Sequence, residues 1–213
     1  MKNGLLLVDI QNDFCPGGAL AVPEGDLVVP VINSLMGFFP VVAATKDWHP
    51  PGHISFASRY AKPVFTTVST PYGPQILWPD HCVQHTPGAD FHPALETAGI
   101  QHVVYKGTRP DIDSYSTFFD NARLQQTDLH RYLQDAGITD LYLCGLATDY
   151  CILYSALDAL ELGYRVVVIE DGCRGVNVQP DDSGQALRKI VAAGGRRMTA
   201  NALIEGLTKE GKR

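Results

Sequence analysis

Five short runs of branched aliphatic residues constrain this chain more than anything else in it: LLLVDI (5–10), VVAAT (41–45), HVVY (102–105), LYLCG (141–145) and RVVVIE (165–170). None alternates apolar with polar residues as a half-exposed strand does, so each reads as a strand covered on both faces, the condition of a parallel sheet. Between them lie helical patterns at GDLVVPVINSLMGFF (25–39), DLHRYLQDAG (128–137) and TDYCILYSALDALELGY (148–164), the last stopped by Gly163. A final unit, PDDSGQALRKIVAAGG followed by RRMTA (180–200), reads as a helix and then a short edge strand. Alternation of this kind predicts an α/β fold of three layers: a doubly wound, mostly parallel six-stranded sheet with helices on both faces. In such sheets ligands gather beyond the carboxyl ends of the strands.

Nothing divides the chain into independently folding halves, and residues 1–213 read as one domain. One stretch departs from the βα alternation. Residues 46–99 are rich in proline and carry five of the chain's seven histidines. A segment that long without clear periodicity is usually functional or conceals elements of its own, and an insertion after the second strand would overlie the crevice.

Composition narrows the partners. A formal net charge of -6 and a pI of about 5.6 argue against nucleic acid, and no segment has the apolar length of a membrane span. The first apolar run is broken by Asp9, too early for a signal-peptide core. Five scattered cysteines (15, 82, 144, 151, 173) without a CxxC pair predict neither a disulfide framework nor a thiolate zinc site, and fit a reducing cytoplasm. A small-molecule substrate is expected, and a homo-oligomer is left open.

Three strands end in a reactive side chain. Asp9 closes the first, Lys106 follows HVVY, and Cys151 comes just after LYLCGLAT. Asp9 alone reads equally as a turn residue, Lys106 as a lysine on an edge and Cys151 as a packed thiol. Together on one rim they compose a nucleophile, a cation and a proton acceptor. With Thr148 or Asp149 at a helix N-cap, Cys151 falls in the first turn, where the helix dipole and a nearby ammonium favour a thiolate. Asp9 could take the thiol proton and deliver it to a leaving amine, with N–H groups of the first turn and the GLAT loop as an oxyanion hole. This is acyl-transfer machinery.

The histidine-rich insertion carries TKDWHPPGHISF, with Asp47, His49 and His53, and WPDHCVQHTPGADFHP, with His81, His85 and His92. Asp47 and His49, two apart in extended backbone, point the same way, and His81 can join them from across the loop. Imidazole with carboxylate suits zinc, iron or manganese. The aromatics Phe14, Trp78 and Tyr115 could hold a planar ring, although core packing is the commoner fate of any one of them.

These segments, with LLLVDIQNDFCPGGAL, YKGTRPDIDSYSTFFDN and CGLATDYCILYSALDA, occur in the same order in a known family. The chain resembles the nicotinamidase/pyrazinamidase family of the isochorismatase-like cysteine hydrolases over nearly its full length. The resemblance implies an enzyme that converts nicotinamide to nicotinate and ammonia through a thioester, also deamidates pyrazinamide, and serves NAD salvage. It implies Cys151 as nucleophile, Asp9 as proton shuttle and Lys106 as the cation between them. It further implies an oxyanion hole at Ala147 and Cys151 with a cis Leu146–Ala147 peptide, and one divalent metal, zinc first, on Asp47, His49 and His81. His53 stands where some members use a further histidine and others water. Phe14 and Trp78, and less directly Tyr115, would contact the ring. Related amidases of carbamoyl or ureido substrates share the Asp, Lys and Cys but not the Asp-x-His site, and isochorismatases proper lack the cysteine.

Overall fold

The computed structural model describes residues 2–210. Its frame is a six-stranded sheet in the order β5-β2-β1-β6-β7-β8, every pairing parallel. The strands are β1 (Asn3–Val8), β2 (Val41–Asp47), β5 (His102–Lys106), β6 (Asp140–Leu146), β7 (Arg165–Arg174) and β8 (Arg196–Met198). The uniformly apolar runs fall at the centre, as burial on both faces demands: Leu5, Leu6, Leu7 and Val8 of β1 are all buried, and so is the whole of β2. Exposed positions fall on the edge strands β5 and β8 and at Arg165, the first residue of β7.

Helices cover both faces. α1 (Val28–Met36) buries Val28, Val29, Ile32, Leu35 and Met36 and packs on β6, β7 and α6 (Ala200–Glu210). α4 (Leu153–Glu161) packs on β7 and on α5 (Asp182–Ala192). Its buried face includes Ser155, Ala156 and Ala159, short side chains that let the helix come close to the sheet. α3 (Leu129–Asp135) precedes β6. The C-terminal helix α6 was not expected from the sequence. Leu203 is buried and Ile204 and Leu207 are partly buried, a stripe of three residues too short to stand out against a polar, glycine-containing background.

The insertion contains small elements that its prolines obscure. α2 (Ala57–Tyr60) is one turn, and β3 (Thr67–Thr70) and β4 (Gly73–Ile76) form a separate antiparallel hairpin. Single bridges between His49 and Val83, Phe56 and Trp78, and Gln11 and Phe91 stitch the rest to the end of the sheet.

The helical reading of 148–164 is corrected at its start. Neither Thr148 nor Asp149 is the N-cap. Ala147, in extended conformation, precedes a single π-helical turn, Thr148–Ile152, and its carbonyl accepts from both Tyr150 N and Ile152 N at 3.1 Å; α4 begins only at Leu153. The Asp149 carboxylate instead accepts from the backbone N–H groups of Val176 and Asn177, 3.0 and 2.6 Å away, in the loop after β7. Where β1 and β6 end side by side, Val8 is in register with Gly145. Gly145 has φ +128°, and a Cβ there would lie 2.1 Å from the Val8 carbonyl oxygen.

Candidate active site

Four neighbouring strands, β5-β2-β1-β6, deliver side chains to one end of the sheet. Asp9 follows β1 in a left-handed conformation (φ 52°), a region where Asp is among the less disfavoured residues. Lys106 ends β5, beside Asp47 at the end of β2 in the strand register. Cys151 lies in the π turn after β6. The Lys106 ammonium, almost wholly buried, is 2.8 Å from Asp9 Oδ2, 2.5 Å from Asp47 Oδ1, 3.4 Å from Cys151 Sγ and 3.1 Å from the Ser114 carbonyl oxygen. The three groups read from separate strand ends therefore meet.

Asp9 divides its oxygens. Oδ1 accepts from the Thr45 hydroxyl at 2.6 Å. Oδ2 faces the ammonium as an ion pair but accepts no well-directed hydrogen bond, so a lone pair stays free for a proton. Burial raises the Asp9 carboxyl above its ordinary range, against the pull of Lys106. Burial disfavours the Lys106 ammonium, but Asp47 and Asp9 outweigh it and hold the lysine well above its usual value. Asp47 is likewise buried, yet Lys106 and His49 keep it well below.

The ammonium expected beside Cys151 is present, but it does not act on the sulfur alone. Burial pushes the Cys151 thiol well above its ordinary value; Lys106 opposes the shift, and the Asp9 and Asp47 carboxylates add to it. One ammonium serves two carboxylates, so little positive field is left for the sulfur. The Asp9 carboxylate is adjacent to this sulfur. Burial also raises Cys15 to about 11 and Cys173 to about 12. Cys151 is set apart from them by its ammonium and carboxylate neighbours.

Asp47, His49 and His81 present one ligand atom each, all within 4.8 Å of one another. Asp47 Oδ2 is 3.5 Å from His49 Nε2 and 3.8 Å from His81 Nε2. Both imidazoles place Nδ1 against a backbone carbonyl, His49 on Gly107 at 2.9 Å and His81 on Pro79 at 2.7 Å. With Nδ1 engaged by a carbonyl, Nε2 is the atom that each ring turns toward the carboxylate, the outer-shell arrangement of metal-ligating histidines. Gly107 (φ +63°) makes the approach possible, since a Cβ there would sit 2.4 Å from His49 Cε1. The donor set fits a divalent cation of the zinc, iron or manganese type. His53 lies behind it, stacked on His49 at 4.1 Å between centroids. Its nitrogens face Ser55 Oγ at 2.7 Å and the Ile112 carbonyl at 3.3 Å, and burial lowers it to about 4. His85 is set against Trp48, away from this cluster.

Sulfur and metal-type donors open into one small pocket, lined by Asp47, His81, Ala147 and Cys151 and walled by Phe14, Trp78 and Tyr115. The Trp78 indole N–H donates to the Tyr115 hydroxyl at 3.2 Å. The Leu146–Ala147 peptide is cis. Sequence reasoning missed Tyr150, whose ring meets Trp78 edge-on at 4.8 Å, and Asp113, buried at the pocket's edge with Oδ2 accepting from Gln75 at 2.9 Å. Tyr150 directly precedes Cys151 and Asp113 sits in the DSYS stretch, so position alone could have nominated both. Leu20 and Val176 complete the wall.

Known proteins share this fold and much of this sequence. A family model described as the isochorismatase domain matches residues 3–202. The chain is 53% identical over 194 residues to a nicotinamidase of Escherichia coli, covering 89% of this chain and 91% of that one. The solved structure of an Acinetobacter baumanii nicotinamidase/pyrazinamidase superposes with a TM-score of 0.92 at 42% identity, over 95% of this chain and 98% of that one. A pyrazinamidase of Pyrococcus horikoshii, solved in complex with zinc, gives 0.76 at 37% identity, over 93% and 99%. The chain belongs to the isochorismatase family, on its nicotinamidase/pyrazinamidase branch. It is an amidohydrolase.

Proposed function

We infer that this enzyme hydrolyses nicotinamide to nicotinate and ammonia, and accepts pyrazinamide as a ring analogue. The observation that carries the reading is the shared pocket: an aromatic slot lined by Cys151 and by Asp47 and His81, two of the three members of an Asp–His–His donor set. A pyridine or pyrazine carboxamide has the two features that such a slot can hold at once, a ring nitrogen and a carbonyl carbon.

In this reading Asp9 Oδ2 takes the Cys151 proton as sulfur attacks the carboxamide carbon. The N–H groups of Ala147 and Cys151 hold the oxyanion. Asp9 returns the proton to the nitrogen, the C–N bond breaks, and ammonia leaves a thioester. Asp9, again a carboxylate, then accepts a proton from water as its oxygen attacks the thioester, and collapse releases nicotinate and restores the thiol. Lys106 keeps Asp9 oriented and offsets negative charge in each step. A divalent ion, zinc first among those the donor set suits, would be held by Asp47, His49 and His81 and supply a Lewis-acid anchor for the ring nitrogen. Phe14, Trp78 and Tyr115 would hold the ring faces. Nicotinate production fits a role in NAD salvage in the cytoplasm.

Ammonia release from nicotinamide by metal-analysed protein tests the reading. Activity should require Cys151, with Cys151→Ala inactive but still binding nicotinate, and a chelator should suppress turnover. Full turnover by Cys151→Ala would refute the nucleophile, and failure to release ammonia would refute the substrate.

A further inference from the structure

We propose that Gln11, Asn12 and Asp13, three consecutive polar residues in the loop after β1, are positioning residues that set the two metal-ligand segments in register. The inference deepens the metal site proposed above and rests on it.

Each side chain reaches a different point. Gln11, fully buried, clasps Asp47 at both main-chain groups: its Oε1 accepts from Asp47 N at 2.8 Å and its Nε2 donates to Asp47 O at 2.8 Å. The same NH2 donates to Ala89 O at 3.0 Å, tying the strand end to the second ligand loop. Asn12 Nδ2 donates to Pro87 O at 2.8 Å in that loop. Asp13 Oδ2 accepts from the N–H of Cys82, the residue after His81, at 2.7 Å, while Oδ1 accepts from Ala19 N at 3.1 Å. Gly88 leaves room for this carboxylate, since a Cβ there would overlap it at 2.2 Å.

The amide of Gln11 thus fixes the backbone from which the Asp47 carboxylate is aimed, and Asp13 fixes the backbone beside His81. Among the described residues the hydrogen bonds of the Gln11 side chain go to Asp47 and Ala89, not to Lys106 or Cys151. Outer-shell partners of this kind are typically worth 10- to 100-fold in metal affinity or activity.

Zinc dissociation constants, measured by chelator competition on purified protein, test the proposal with Gln11→Met and Asp13→Asn. Methionine keeps the volume but removes all three hydrogen bonds; asparagine leaves one of the two N–H groups facing a donor. Gln101→Ala is the control. It removes another glutamine clasp on the same strand, that of Gln101 Oε1 on Val42 N at 2.6 Å, remote from the ligands. Both site variants should bind zinc at least 10-fold more weakly and show a raised KM with kcat largely recovered at saturating zinc, while Gln101→Ala binds as the wild type. Wild-type zinc affinity in either site variant, or equal weakening in Gln101→Ala, overturns the proposal. If Gln11→Met does not fold, Asp13→Asn decides alone. Absence of zinc binding by the wild-type protein overturns the metal reading itself, and this inference with it.

Discussion

Asp47 and Lys106 are register partners on β2 and β5, and their side chains close that pairing with a 2.5 Å contact between Oδ1 and Nζ. The other oxygen of the same carboxylate faces His49 and His81. One side chain therefore belongs both to the charge cluster around the sulfur and to the donor set for a cation, and the two cannot be tuned independently.

Asp47→Asn should accordingly injure both. Bound zinc and kcat/KM should fall together, by about 10-fold or more for the metal, and excess zinc should restore only part of the rate. His49→Ala should lose metal and raise KM, but excess zinc should recover more of its kcat, because Lys106 keeps its carboxylates. Elemental analysis beside steady-state kinetics separates the two. Identical recovery in both variants would contradict the shared role.

Asp9→Asn keeps the shape and the Thr45 contact but cannot take up a proton. The expected loss in kcat is about 10²- to 10⁴-fold, with nicotinate affinity, followed by quenching of Trp78 fluorescence, changed little. A loss of affinity matching the loss in rate would assign Asp9 to binding instead.

Lys106→Met removes the one ammonium that, among the described residues, pairs with both buried carboxylates, Asp9 and Asp47. Leaving buried charge uncompensated costs about 3–5 kcal/mol, readable as a lowered urea midpoint. The double variant Lys106→Met with Asp9→Asn should regain part of that loss, since one of the stranded charges is gone. Additive destabilisation would show that the cluster is not held by charge balance.

At the opposite end of the sheet, Asp140 and Arg165, register partners on β6 and β7, form a fork with contacts of 2.6 and 2.5 Å. The hydrogen bond from Arg165 holds Asp140 below its ordinary range. The pair therefore adds stability above the unfolded carboxylate value of about 4 and loses it as pH falls through the lower folded value. Asp140→Asn should lower Tm only modestly at pH 7, because the arginine is so exposed, and the gap to wild type should close below pH 4. A gap independent of pH would assign the effect to shape.

The strands were legible because burial on both faces leaves one kind of residue available, and Leu5, Val42 and Val167 have no alternative fate. Asp9, Lys106 and Cys151 were legible because each stands where an apolar run stops. Periodicity could not reveal the π turn, since its extra residue is decided by the Ala147 carbonyl accepting from both Tyr150 and Ile152. The raised thiol was equally hidden: a sequence shows that a lysine is near, but not that Asp47 and Asp9 have already claimed it. Gln11 and Asp13 read as loop residues until their partners, 36 and 69 positions away, are seen.

The missing side chain at Gly145 sets how closely the first and sixth strands can finish together. A single methyl group there would meet the Val8 carbonyl and wedge the two chain ends apart, carrying the proton acceptor one residue beyond Val8 away from the sulfur six residues beyond Gly145. The spacing of the reactive groups at this rim is thus set partly by an atom that is not there.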